Sequence, residues 1–203
     1  MLTLLDTIPD IKRYPLHYIF EDLKLQHKPG TLWLEFGVAS GSTINYISQF
    51  SKDTVYGFDS FEGLPEKWRD NYDKGAFTMN GNLPKVRENV ELIKGWFSDT
   101  LPEFIESKKQ KVSFIHMDAD LYSSTKTVLN ILKPHLDSPC VIVFDELVNY
   151  AGFDGDTGEL KALYEFINEN KDSLEMEWVG MNGTPIGMRG YEHQNVALLI
   201  YKL

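Results

Sequence analysis

Two pairs of acids could do chemistry together. In Phe114-Ile115-His116-Met117-Asp118-Ala119-Asp120-Leu121-Tyr122 an apolar run ends in two aspartates one residue apart. In Val141-Ile142-Val143-Phe144-Asp145-Glu146 a second run ends in adjacent acids. Short runs rich in β-branched and aromatic residues read as buried strands. A carboxylate at such an end leaves water only at high cost, unless a partner or a metal receives it. Ligands of open α/β sheets bind beyond the carboxyl ends of parallel strands. Asp118, Asp120, Asp145 and Glu146 are therefore expected to meet at one rim. All-oxygen ligation suits Mg²⁺, whereas Zn²⁺ favours His or Cys. A hard cation lowers the pKa of a hydroxyl bound to it, and a nearby carboxylate or imidazole takes the proton. On the pleat His116, Asp118 and Asp120 fall on one side. His116 reads more readily as a buried hydrogen-bonding histidine than as a base. One acid alone would be a helix cap or an ion-pair partner; four at two strand ends favour a metal.

The elements that position these acids follow from periodicity. Thr31-Leu32-Trp33-Leu34-Glu35-Phe36-Gly37-Val38-Ala39-Ser40-Gly41-Ser42 reads as strand, glycine turn and helix start. No Lys follows Gly41, so this is not a phosphate loop. A third glycine is missing, so the dinucleotide fingerprint is incomplete. Glu35 would repel a phosphate and suits a ligand with an ammonium group. Ser42 or Thr43 is placed to cap the following helix. A second strand over 54–58 ends in Asp59, about 20 residues past the first glycine, where a ribose-binding acid sits in a nucleotide-binding βαβ unit. Residues 63–89 lack periodicity and carry Trp68, Arg69, Tyr72 and Phe77 among prolines and glycines. A loop this long reads as a candidate lid over the acceptor or as a decorated connection.

Further strands are expected at 90–94, 112–117, 140–144, 175–179 and 196–201, in the order βαβαβαβαβαββ. Trp96 or Phe97 could stack on a flat base or simply fill the core. Thr100-Leu101-Pro102-Glu103 and Asp156-Thr157-Gly158-Glu159 read as capping boxes. Residues 1–30 read as a helical segment whose Leu16, Ile19, Phe20 and Leu23 pack on the sheet edge. Residues 180–190 form a glycine-rich turn region, and His193 beyond it reads as a solvated loop histidine. The alternation implies a mostly parallel α/β sandwich in a single domain over residues 1–203.

Bulk properties narrow the partners. The chain has 203 residues, a formal net charge of −10 and one cysteine, Cys140. An acidic balance argues against nucleic acid. One cysteine excludes a disulfide within the chain. No run approaches the roughly 20 apolar residues of a membrane span, and the N-terminus lacks a signal peptide's basic region. The expectation is a cytoplasmic protein with no membrane partner; a homo-oligomer is compatible with it.

Four stretches carry a family resemblance. They are Glu35 to Ser42, Tyr56-Gly57-Phe58-Asp59-Ser60-Phe61-Glu62-Gly63-Leu64-Pro65, Lys94-Gly95-Trp96-Phe97-Ser98-Asp99-Thr100-Leu101-Pro102, and His116 to Thr125. The chain resembles class I S-adenosylmethionine-dependent O-methyltransferases, and more narrowly the metal-dependent group around macrocin and other sugar O-methyltransferases. The resemblance implies a Rossmann-like seven-stranded sheet with its last strand antiparallel. It implies that Glu35, Gly37, Val38, Ala39, Gly41 and Ser42 lie at the methionine part of S-adenosyl-L-methionine. Asp59 and Ser60 would then hold the ribose, and Gly95, Trp96 and Phe97 would flank the adenine. Asp118 would touch the cofactor and, with Asp145 and Glu146, hold Mg²⁺. Asp120 would be the base, with His116 as a second catalytic candidate. The acceptor would be a small molecule, a sugar or another polar hydroxyl compound. An N- or catechol-type methyltransferase, or a cofactor-binding module without activity, is the alternative. Relatives often carry two Asp where this chain has Asp145-Glu146, which leaves the ligand geometry open.

Overall fold

The computed structural model describes residues 5–183 and 193–203. Seven strands form one sheet: β1 Thr31–Phe36, β2 Val55–Asp59, β3 Val90–Lys94, β4 Lys111–Met117, β5 Leu136–Phe144, β6 Leu174–Met181 and β7 Val196–Lys202. Their order is β3-β2-β1-β4-β5-β7-β6. Pairing is parallel through β5, and β7 runs antiparallel to both β5 and β6. Four helices connect them: α1 Ser42–Ile47, α2 Phe97–Lys108, α3 Tyr122–Leu132 and α4 Gly158–Glu169. The chain turns from β1 outward to β2 and β3, then returns to place β4 on the other side of β1. That reversal is the switch point where a crevice opens above an α/β sheet.

Alternation along each strand divides the core into two layers. Leu32, Leu34 and Phe36 of β1 and Ile115 and Met117 of β4 face α2, α3 and α4 through Leu101, Val128, Leu160 and their neighbours. Trp33 and Phe114 face the opposite way, toward α1 and the N-terminal segment. Among the described residues no helix is long and apolar enough to cross a membrane.

Three sequence expectations change. The segment 60–89 contains no helix, so the β2–β3 crossover is irregular and the helix written there is absent. The N-terminal stretch forms a helical turn at Pro15–His17 that passes into a π-helical turn at Tyr18–Asp22. Its Leu16, Ile19 and Phe20 lie against Trp33, Phe114 and Val143 in the middle of the sheet face, not at its edge, while Leu23 is exposed. A π turn widens the spacing between successive residues on one face, which carries Leu23 away from that layer. The capping expectations also fail. Helix α2 begins at Phe97, three residues before Thr100, and takes Pro102 into its interior; α1, α2, α3 and α4 all start without a side-chain cap bond.

Gly37 has φ +89°, and a Cβ built there would lie 1.8 Å from the carbonyl oxygen of Asp118. The β1 turn thus presses directly on the end of β4, which only glycine permits. Gly37→Ala is expected to destabilise the protein by about 3 kcal/mol, because clash and left-handed backbone strain add. Thermal unfolding should then come at a temperature lower by roughly 6–12 °C. An unchanged melting temperature would contradict this packing.

Candidate active site

The backbone ladder runs one bond past each strand end. Gly95 N–H donates to Asp59 O (2.9 Å), Gly37 N–H to Phe58 O (2.9 Å), Asp118 N–H to Phe36 O (2.9 Å) and Asp145 N–H to Met117 O (2.8 Å). These bonds align the rim in strand order, from Gly95 on the β3 side to Asp145 on the β5 side. A cavity of about 420 Å³ opens above it. Asp59, Ser60, Trp96, Phe97 and Ser98 line its β2–β3 side, and Gly37, Ala39 and Asp118 lie at the switch point. Asp120, Asp145 and Glu146 line the β4–β5 side with Ser123, Ser124 and Thr127 of α3. The long loop closes over it with Gly63, Leu64, Pro65 and Phe77.

Oxygens of Asp118, Asp120 and Glu146 lie within 4.8 Å of one another. Asp118 and Glu146 are common to this cluster and to the ligand set expected from the resemblance. Asp145 is the difference. It lines the cavity, but its Oδ1 accepts from the Tyr14 hydroxyl (3.0 Å) and from Asn195 Nδ2 (2.5 Å). Asp120 stands at the centre of a three-residue turn, with φ 58° and Leu121 N–H donating to Ala119 O at 2.5 Å. That conformation is strained for a non-glycine residue and swings the carboxylate into the cavity.

His116 and Glu35 are corrected. Both are fully buried beneath the rim on the face that holds Trp33, and neither lines the cavity. The strand pleat ends at Met117, so His116 does not share a side with Asp118 and Asp120. Its Nδ1 lies 3.0 Å from Glu35 Oε1 and its Nε2 3.8 Å from Asp145 Oδ1. Burial opposes charge on this imidazole, yet the flanking Asp145 and Glu35 outweigh it and hold its pKa at about 10. Asp145 is held low; burial works against its charge, and the attraction of the nearby His116 imidazolium outweighs it. Burial pushes Glu35 up. A charged histidine thus offsets acid at the rim from below and cannot reach a substrate.

Other cofactor candidates act through the backbone. Asp59 Oδ2 accepts from the amides of Val38 and Ala39, both at 2.8 Å, and Oδ1 from Phe61 N–H at 2.7 Å. Asp59 therefore ties the glycine turn to β2 while still facing the cavity. Gly41 begins α1 beneath Pro84 and Val86, and the Ser42 hydroxyl meets Ser40. Glu35, Val38, Gly41, Ser42 and Gly95 are not on the cavity wall.

Glu159 is the residue that sequence reasoning missed. Its spacing matched a capping box, but the side chain is fully buried and turned toward the rim, where Oε1 accepts from Ala119 N–H at 3.1 Å. Its second oxygen, Oε2, is buried without a hydrogen-bond partner. Glu159 so ties the Asp118–Asp120 turn to α4. Tyr14 and Asn195 were missed as well, since only the fold brings residues so far along the chain onto Asp145. His193 is held by Asn182 O at 2.6 Å, and residues 184–192 of the expected turn region lie outside the described residues.

Burial first, then the charge of Asp145, raises Asp118 and Glu146 well above the carboxylate range and Asp120 to about 7. Burial raises Glu159 to about 8. Among the described residues no Lys or Arg pairs with Asp118, Asp120 or Glu146, and Glu146 Oε2 is buried without a partner. Oxygen-only donors, crowded and uncompensated, fit a hard divalent cation.

Comparison with known proteins identifies the family and the fold. A family described as a methyltransferase domain matches residues 34–147. The chain is 30% identical over 165 residues to the 8-demethyl-8-(2,3-dimethoxy-alpha-L-rhamnosyl)-tetracenomycin-C 4'-O-methyltransferase of Streptomyces olivaceus, covering 69% of this chain and 62% of that protein. It is 27% identical over 188 residues to the demethyldecarbamoylnovobiocin O-methyltransferase of Streptomyces niveus, covering 80% and 70%. A crystal structure of a calicheamicin methyltransferase superposes with a TM-score of 0.59 at 18% identity, over 97% of this chain and 77% of that one. The match over residues 34–147 takes in the glycine turn, Asp59 and both acid pairs, and the sheet has the order and the antiparallel last strand expected of this fold: the chain belongs to the methyltransferase-domain family.

Proposed function

We propose that this chain is an S-adenosyl-L-methionine-dependent O-methyltransferase that uses Mg²⁺ and acts on a hydroxyl of a small, polar, sugar-like molecule. The observation that carries this reading is the cluster of Asp118, Asp120 and Glu146 on the cavity wall, at the switch point beside the Gly37 turn. When bound, the cofactor supplies an electrophilic methyl group on a positively charged sulfur. Trp96 and Phe97 offer ring faces to its base, Asp59 and Ser60 offer oxygens to its ribose, and the Gly37–Ala39 backbone admits its amino-acid end. Acid-rich walls favour that positive sulfur. Asp118 and Glu146, with Asp145 beside them, would hold Mg²⁺, which polarises an acceptor hydroxyl when bound. Asp120 accepts the hydroxyl proton on a carboxylate oxygen. Ser123, Ser124 and Thr127 present hydroxyls to the acceptor. The loop 63–89 acts as its lid and excludes water.

Calorimetric titration with S-adenosylmethionine, with and without Mg²⁺, tests the reading directly; absence of binding in both would overturn it. Asp120→Asn is expected to keep cofactor binding and to lower kcat by about 10²–10⁴-fold, the range for loss of a general base. Wild-type turnover would remove Asp120 from that role.

Stability of the metal-free protein should depend on pH. Asp120 and Glu159 sit near 7 and 8 in the fold, well above the roughly 4 of an unfolded carboxyl. Between those values the native state binds more protons than the unfolded one. Stability therefore falls as pH rises, from about pH 5 to about pH 8.5. Mg²⁺ should restore more at the upper end than at the lower. A flat melting temperature across this window, untouched by Mg²⁺, would contradict the uncompensated cluster.

A further inference from the structure

Outside the rim, the least explained group is Arg69. Trp68 N–H donates to Tyr72 O and Tyr72 N–H to Arg69 O, both at 3.0 Å, so the chain folds back tightly across residues 68–72. That turn sets two rings on one guanidinium, whose Cζ lies 4.2 Å from the centroids of both Trp68 and Tyr72. Such stacking fixes the plane of the fork while leaving its edge N–H groups to bind. Around it the aromatic layer continues: Tyr72 stacks on Phe77 at 5.2 Å and Trp68 tilts on Tyr150 at 5.6 Å.

This layer abuts the reactive end of the cavity. Phe77 is on the cavity wall and half exposed. The Tyr150 hydroxyl comes within 2.8 Å of where a Cβ on Gly158 would stand, and the Asp120 carbonyl within 3.5 Å of the same point. Arg69 also acts on the Asp120 carboxyl, after burial and Asp145, although the two form no ion pair.

Two facts set this arginine apart. In a chain with 30 acids and 20 bases, it has no carboxylate partner among the described residues. Its Nε and the neighbouring Trp68 Nε1 are both buried without a hydrogen-bond acceptor. Buried donors left unpaired are costly, and an oxygen-rich anion would satisfy the guanidinium.

We propose that Arg69, clamped between Trp68 and Tyr72, is an oxyanion subsite for the acceptor, so that the natural acceptor carries a carboxylate or phosphate a few atoms from the methylated hydroxyl. This inference rests on the methyltransferase reading and narrows its substrate class from polar hydroxyl compounds to hydroxylated oxyanions such as sugar acids or sugar phosphates. Asp120 is on the cavity wall and Arg69 lies behind it in the Trp68–Tyr72–Phe77 layer, so the acceptor's anion would enter that layer beside Phe77.

The test is calorimetry on the full chain with Mg²⁺ and S-adenosylhomocysteine, using glucuronate, glucose 1-phosphate and neutral methyl glucoside as probes. One of the two anions should bind at least roughly tenfold tighter than the neutral sugar, a difference of one charge-assisted contact. The better anion identifies the source as carboxylate or phosphate. Arg69→Met should erase the preference while leaving S-adenosylhomocysteine affinity intact; Arg69→Lys, which keeps the charge, should restore part of it and serves if the methionine variant unfolds. Equal binding of neutral and anionic probes, a preference that survives Arg69→Met, or no binding of either anion would overturn the subsite. Each probe is also titrated without S-adenosylhomocysteine. Failure of that cofactor product to bind would overturn the methyltransferase reading, and the oxyanion site would still be judged by its own titration.

Discussion

Repulsion between carboxylates governs this molecule. Two unit charges 4.8 Å apart repel by about 3–4 kcal/mol at an effective dielectric near 20, and more where water is excluded. Asp118, Asp120 and Glu146 lie within that distance of one another, with Asp145 beside them. The fold answers this crowding in several ways. The backbone amide of Ala119 is turned to Glu159. The amide side chain of Asn195 and the hydroxyl of Tyr14 hold Asp145. His116 lies beneath it with its charge retained. What remains uncompensated faces the cavity, where a cation and a sulfonium would be welcome.

The same constraint gives the N-terminal segment its place. Glu35, His116 and Asp145 form a polar line across β1, β4 and β5 on an otherwise apolar face, where charge is tolerated because acid and imidazole face each other. Leu16, Ile19 and Phe20 seal that face over Trp33 and Phe114. Tyr14 reaches from the same segment to Asp145. The segment is thus a cover that reaches the site from behind, and the packing of its apolar residues sets the orientation of a rim acid.

Much of this was legible along the chain. Strand runs rich in Val, Ile and Phe, each ending in Asp or Gly, announced a parallel sheet and its rim, because apolar periodicity survives any tertiary context that buries it. Gly37, Asp59 and the two acid pairs could be chosen by type and spacing alone. Helix starts were legible to within a residue or two at α1, α3 and α4, but caps were not: none of the four helices has a side-chain cap bond, α2 begins at Phe97, three residues before Thr100, and Glu159 turns inward to the Ala119 amide. Nor could spacing tell whether Glu35 and His116 faced the ligand or each other. One step of pleat decides that, and the strand ended one residue before the alternation was assumed to continue.

The sequence by itself determined the sheet, its acid-tipped rim and the glycine turn, since these depend on local pattern and on the cost of burying charge. Only the tertiary structure decided which acids stand together, that Asp145 is shared with Tyr14 and Asn195, and that His116 is a buried counter-charge. Those assignments rest on distances between residues remote in the chain, and electrostatic interaction depends on separation in space and on water, neither of which is written in the order of residues.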